Sequence, residues 1–213
     1  MPTATFPVCQ HFVPNKIQHH IQCVVINIYL IPECTNTFQA DVMFGIHGIG
    51  GDSRVEVREF VKEIGGAFRA APNVRIGLSE NCNSAEIELQ GFQEEDTFAV
   101  TVSQAMATSA TATFNRVRLS YGRARTDVNR IAILIVAGEI EDFEMAKREV
   151  ARLKYSSRVI VVGVGARVDV QQLRELSSYE DASDISHVFP VRNPESLTYV
   201  VRKILDLMCR ESQ

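Results

Sequence analysis

No apolar run in this 213-residue chain reaches the ~18–20 residues needed to span a bilayer, so membrane insertion is not expected. The longest, Cys23 to Pro32, is about half that length and contains Asn27. It makes no clear signal-peptide core either. A long segment precedes it with Lys16 as its one formal charge, and no small-x-small cleavage site follows. Positive charge is short as well. Twenty-two Lys and Arg against 26 Asp and Glu leave a net charge of −4, which removes the electrostatic case for nucleic acid or an anionic membrane. The one local basic cluster, Arg116, Arg118, Arg123 and Arg125, reads as a solvated helix face and loop. A Gly-Lys-Ser/Thr triplet is missing, which excludes a P-loop, and so is G-x-S-x-G, the nucleophile turn of serine hydrolases. The five cysteines, Cys9, Cys23, Cys34, Cys82 and Cys209, are odd in number and lack C-x-x-C or metal-ligand spacing.

What is present is an alternation of strands and helices. The first strand reads Asp41–Ile46, and the turn after it, His47-Gly48-Ile49-Gly50-Gly51, is rich in glycine. A helix follows over about 53–68, with Val57, Phe60, Val61, Ile64 and Phe68 on one face. Strands at 75–79 and 85–89, joined by the turn-forming Glu80-Asn81-Cys82-Asn83-Ser84, read as a hairpin. Helices are expected over about 96–106 and 113–121. The runs 131–136 and 159–164 are continuously apolar, as in central parallel strands covered on both faces. Helices are expected over 141–155, with Phe143, Ala146, Val150 and Leu153 inward, and over 170–176. A short strand follows at 187–190, with His187 structural or exposed. The last helix starts at Pro194 and buries Leu197, Val200, Val201, Ile204, Leu205 and Met208. The fold class is α/β: a doubly wound, mostly parallel sheet with one antiparallel edge hairpin strand. One domain fills 38–210, and residues 1–37 form a poorly defined extension.

In such folds a glycine-rich turn at the carboxyl end of a strand is where ligands bind. Gly48-x-Gly50-x-x-Ser53 is one glycine short of a dinucleotide fingerprint. The ribose-binding acid expected ~20 residues on would fall near 69–71, where there is none. A nucleotide-binding Rossmann-type enzyme is therefore a lesser alternative. The acids Glu94-Glu95-Asp96 and Glu139-x-Glu141-Asp142 read as solvated helix starts opposing the helix dipole, and Asp52 as a helix cap. His19-His20 lies in the extension without partners. No catalytic constellation emerges, and the chain reads as non-enzymatic.

The order of elements, with Asp41-Val42-Met43-Phe44, Phe60-Val61-Lys62, Val74-Arg75-Ile76-Gly77-Leu78, Arg130–Gly138 and Ile160-Val161-Val162-Gly163-Val164-Gly165, resembles the von Willebrand factor type A domain over about 38–208. That family's hallmark is a metal-ion-dependent adhesion site, D-x-S-x-S after the first strand, a Thr in a second loop and an Asp in a T-D-G turn. Hard oxygen ligands hold Mg²⁺ there and leave one position for an acidic residue of the partner. At the corresponding positions this sequence has His47, Ile49, Gly51 and Ala137. Thr111 aligns with the loop threonine, with Thr113 as the alternative register. Four of five ligand positions thus lack an oxygen side chain, and no cofactor is expected. His47 could suit a softer metal, but no second His or Cys lies on a neighbouring loop, so it reads as a plain loop residue. The resemblance implies a secreted or cell-surface adhesion domain that binds a protein ligand, collagen or another matrix protein, without a metal ion. The alternative is a purely structural spacer within a larger protein. The resemblance also implies a terminal disulfide, Cys34 to Cys209, as several domains of the family have.

Overall fold

Two-sided burial of the long apolar strands organises the molecule. In the computed structural model, the structure describes residues 38–48, 53–68, 71–80, 86–90, 109–178 and 186–210. The chain divides into two units, Met1–Ile31 and Pro32–Gln213, and every described residue belongs to the second.

Strands β1 (Ala40–His47), β2 (Val74–Glu80), β3 (Glu86–Gln90), β4 (Asn129–Val136), β5 (Arg158–Val164) and β6 (Val188–Val191) form one sheet in the order β3-β2-β1-β4-β5-β6. Every neighbouring pair is parallel except β2 and β3, an antiparallel pair with a register irregularity between Ile76 and Leu78. The runs 131–136 and 159–164 lie inside the sheet, as their apolar continuity requires. Alternate residues of each strand then serve opposite layers. Helices α1 (Ser53–Ala67) and α5 (Thr198–Arg210) cover one face. There Phe60, Ile64, Ile204 and Met208 pack with Val42, Phe44, Ile133 and Val162. Helices α2 (Ala110–Ser120), α3 (Phe143–Lys154) and α4 (Val170–Leu176) cover the other. There Phe114, Val150 and Leu173 meet Met43, Leu134 and Val161. A Cβ on Gly163 of β5 would lie 2.3 Å from Leu173 Cδ1, so glycine is what lets α4 sit this close to the sheet.

Several boundaries differ from the sequence reading. α2 begins at Ala110 rather than Thr113, because Ser109 caps it: the Ser109 hydroxyl accepts from the Ala112 N–H at 3.2 Å. The last helix starts as a 3₁₀ turn, Pro194–Leu197, capped by Asn193, and becomes α-helical only at Thr198. Val200 and Val201 are only partly buried, while Leu207 and Cys209 are buried instead. Phe143, at the first turn of α3, is likewise half-buried beside the inward Ala146, Val150 and Leu153. His187 is neither exposed nor in a strand. It precedes β6, is buried, and its carbonyl accepts from Val161 N at 2.8 Å. The helix expected over 96–106 and the hairpin loop lie outside the described residues. No helix among the described residues is long and apolar enough to cross a membrane.

The amino ends of the central strands are locked by a buried charge. Asp41 has no exposed surface. Its carboxylate accepts from Arg75 Nε at 2.9 Å and from Arg75 Nη2. It also accepts from the Arg125 N–H at 2.8 Å, Arg125 Nη2 at 2.8 Å and Arg125 Nε at 3.1 Å. Arg125 Nη2 reaches the carbonyls of Ala40 and Asn73 too. Arg125 is therefore not a solvated loop residue, while Arg123 of the same cluster is exposed. Arg125 seals the sheet, Arg118 pairs with Glu149 at 3.1 Å, and Arg123 pairs with Glu88. The physical reason is the unpaired charge of Asp41, which burial would make very costly alone.

Candidate functional site: a cleft at the carboxyl ends of β1 and β4

β1 and β4 are adjacent at the centre of the sheet, and the chain leaves them toward opposite sides. That is the switch point where an α/β sheet opens a crevice. A cleft of about 380 Å³ lies there. Its lining comes from the end of β1 (His47, Gly48), the cap of α2 (Ser109), the β4–α3 connection (Ala137, Gly138, Glu139, Glu141, Asp142) and the turn after β5 (Arg167).

Gly48 has φ +77°, and a Cβ on it would lie 2.6 Å from the Ala137 carbonyl oxygen. The turn thus needs glycine for close approach to its own neighbouring strand, where Ala137 N donates to the His47 carbonyl at 2.9 Å. The glycine that suggested a dinucleotide fingerprint is explained by this contact. The antiparallel β2–β3 pair also replaces the parallel third strand that a dinucleotide fold would have.

His47 is 7% exposed. Burial lowers its pKa, and a hydrogen bond to the Glu139 carbonyl and the nearby Asp142 and Glu141 charges only partly oppose that. The ring is therefore neutral at pH 7. With one nitrogen given to Glu139, Nδ1 is left buried without a partner.

Asp142 is the main residue that sequence reasoning missed. It is not a solvated helix start. Its Oδ2 accepts from Ser109 Oγ at 2.7 Å and from the Thr111 N–H at 3.1 Å. Burial would raise its carboxyl, but hydrogen bonds from Thr111 and Ser109 outweigh burial and hold it below the usual range. One carboxylate from the start of α3 thus caps α2, where the helix dipole favours negative charge. Ser109, a standard capping residue two positions before Thr111, was the readable signal. Arg167 had no signal, since its place follows from the β5 turn alone.

The metal-ligand positions of the resemblance can now be tested against the fold. His47 and Ala137 do come together at the strand ends, and Thr111, in the first turn of α2 rather than in a loop, is tied to the cleft's Asp142 by its N–H. The Thr111 hydroxyl is buried on the side of the Asp142 carboxylate. Thr113, the alternative register, lies buried inside α2 with its hydroxyl on the Ser109 carbonyl at 3.1 Å. Ile49, Gly51 and Asp52 lie outside the described residues. Among the described residues no three His, Cys, Asp or Glu side chains gather as a metal-holding group. This donor set does not fit Mg²⁺, which demands near-octahedral oxygen ligation.

The family model of the von Willebrand factor type A domain matches residues 47–203. The chain belongs to this family. Solved structures show the same fold in type A relatives of low identity. A proximal thread matrix protein 1 from the mussel byssus is 17% identical with a TM-score of 0.66, over 81% of this chain and 48% of that one. The type V pili tip protein Mfa5 from Porphyromonas gingivalis has a type A domain 11% identical, TM-score 0.62, over 83% and 97%. The pilus adhesin SpaC from Lactobacillus rhamnosus GG, in its open conformation, is 10% identical, TM-score 0.66, over 83% and 31%. The type A domain described here thus spans just under half the length of the byssus proteins it matches. No curated protein matches its sequence.

Proposed function

We propose that this type A domain is a non-enzymatic, extracellular adhesion module that binds a protein ligand, collagen or another matrix protein, without a metal ion. One observation carries the reading. The cleft sits where the family binds its partners, yet His47 and Ala137 stand at two metal-ligand positions and give no hard oxygen. Family membership supports protein binding. The names of two structural relatives, a pilus adhesin and a thread matrix protein, support adhesion outside the cell.

The test is solid-phase binding of the full chain to immobilised collagens and other matrix proteins, in EDTA and in millimolar Mg²⁺. Equal, saturable binding in both is the expected result. A partner lost on chelation, with circular dichroism unchanged, would overturn metal-free binding. No saturable binding to any matrix protein would overturn the adhesion reading itself.

A further inference from the structure

Resting on that reading of the cleft, we propose that it takes a basic side chain of the partner, foremost a lysine ammonium, where metal-dependent relatives take an acidic one.

The groups that face the cleft are mostly acceptors. Glu139, Glu141 and Asp142 line it. The Asp142 carboxylate, held by Ser109 Oγ and the Thr111 N–H through Oδ2, is fixed at the cleft wall. His47 provides an independent sign. It lines the cleft, is 7% exposed, and its Nδ1 lacks a partner. Because the ring is neutral and its other nitrogen faces the Glu139 carbonyl, Nδ1 is a bare acceptor. A buried acceptor without a donor is costly, and an ammonium brings three N–H donors and no acceptor.

Charge decides the sign of the ligand. The N-termini of α2 and α3 converge here, and each contributes roughly half a positive charge. Arg167 adds one exposed guanidinium at the rim. Against these stand three carboxylates, so the cleft remains net negative. Asp142 already satisfies the α2 terminus, and Glu144 lies in the first turn of α3, which leaves the helix ends little pull on an anion. An acidic partner residue would meet like charge, which selects against it. In metal-dependent relatives the cation belongs to the site and the carboxylate to the partner. Here the carboxylates belong to the site and the cation comes with the partner.

The experiment is an NMR titration of the full chain with three capped tripeptides, Gly-X-Gly, with X lysine, glutamate or norleucine. The lysine peptide is expected to shift the amides of residues 47–48 and 137–142 saturably, in the millimolar range, and the other two are not. Glu139 and Glu141 are exposed, so the double variant Glu139→Gln/Glu141→Gln keeps the fold and is expected to weaken lysine binding roughly tenfold. Arg167→Ala is expected to strengthen it about twofold to threefold, a gain that a structural role for Arg167 would not produce. Shifts from glutamate or norleucine equal to those from lysine, or no shifts from lysine, would overturn the proposal. Matrix binding without a lysine response would sink this inference and leave the adhesion reading standing. A lysine response without matrix binding would do the reverse.

Discussion

Asp41 carries a full negative charge into the protein interior and meets two guanidiniums there. Burial alone would raise its carboxyl, but the hydrogen bonds from Arg75 and Arg125 hold it below the usual range. A depressed folded-state pKa contributes stability above the unfolded value, about 4, and that contribution is lost as pH falls through the folded value. Asp41→Asn is therefore expected to cost about 3 kcal/mol at pH 7, the low end for a broken buried pair because both arginines keep some water contact. Urea denaturation at pH 7 and in steps below pH ~4 checks this: the gap between variant and parent should close in acid. An undiminished gap at low pH would point to packing rather than charge. The sequence showed Asp41 as the opening residue of a strand and Arg125 as loop. It could not show that they meet, because they lie far apart in the chain and pair only once β1 stands beside β4. Asp142 was hidden for the same reason, since its partners belong to a different helix.

The strands and helices themselves were largely readable, because each buries residues at its own period: two-sided apolar runs for β4 and β5, a 3–4 stripe for α1. Errors fell at element starts, where one capping side chain moves a boundary, as Ser109 does for α2 and Asn193 for the turn before α5. The β1–α1 turn was readable as glycine-rich but not as to why. Its reason is the contact of Gly48 with the Ala137 carbonyl. Gly48→Ala would set a Cβ against that oxygen in a backbone region that side chains disfavour. It is expected to cost about 2 kcal/mol or more and to lower the melting temperature by roughly 4–8 °C. Differential scanning calorimetry is the measurement, and an unchanged melting temperature would show that the turn can relax away from β4.

At the scale of the whole molecule the family and the mostly parallel sheet with its antiparallel edge strand were legible, since they rest on many weak matches in sequence order. The place of the cleft was legible from the glycine-rich turn, but its lining was not, because Ser109, Asp142 and Arg167 reach it from three separate connections. The Cys34–Cys209 bridge stays a proposal. Cys209 is buried near the end of α5, and Cys34 lies outside the described residues. Closing so long a loop is worth about 4–5 kcal/mol in the chain-entropy model. Peptide mapping of protein produced under oxidising conditions, without reductant, should recover the two cysteines joined, and either one linked to Cys82 would exclude this connectivity.

The pairing of Ala40 with Asn129 bears on how the protein is made. β1 leaves the ribosome before β4, and this neighbour is translated about ninety residues later, roughly 5–18 s at ordinary elongation rates. Through that interval a strand that is buried along its whole length in the fold has an open edge, the template on which nascent chains mispair. Yield of this protein in a heterologous host should therefore respond to slower growth temperature and to chaperones that hold nascent chains more than to any change at its surface.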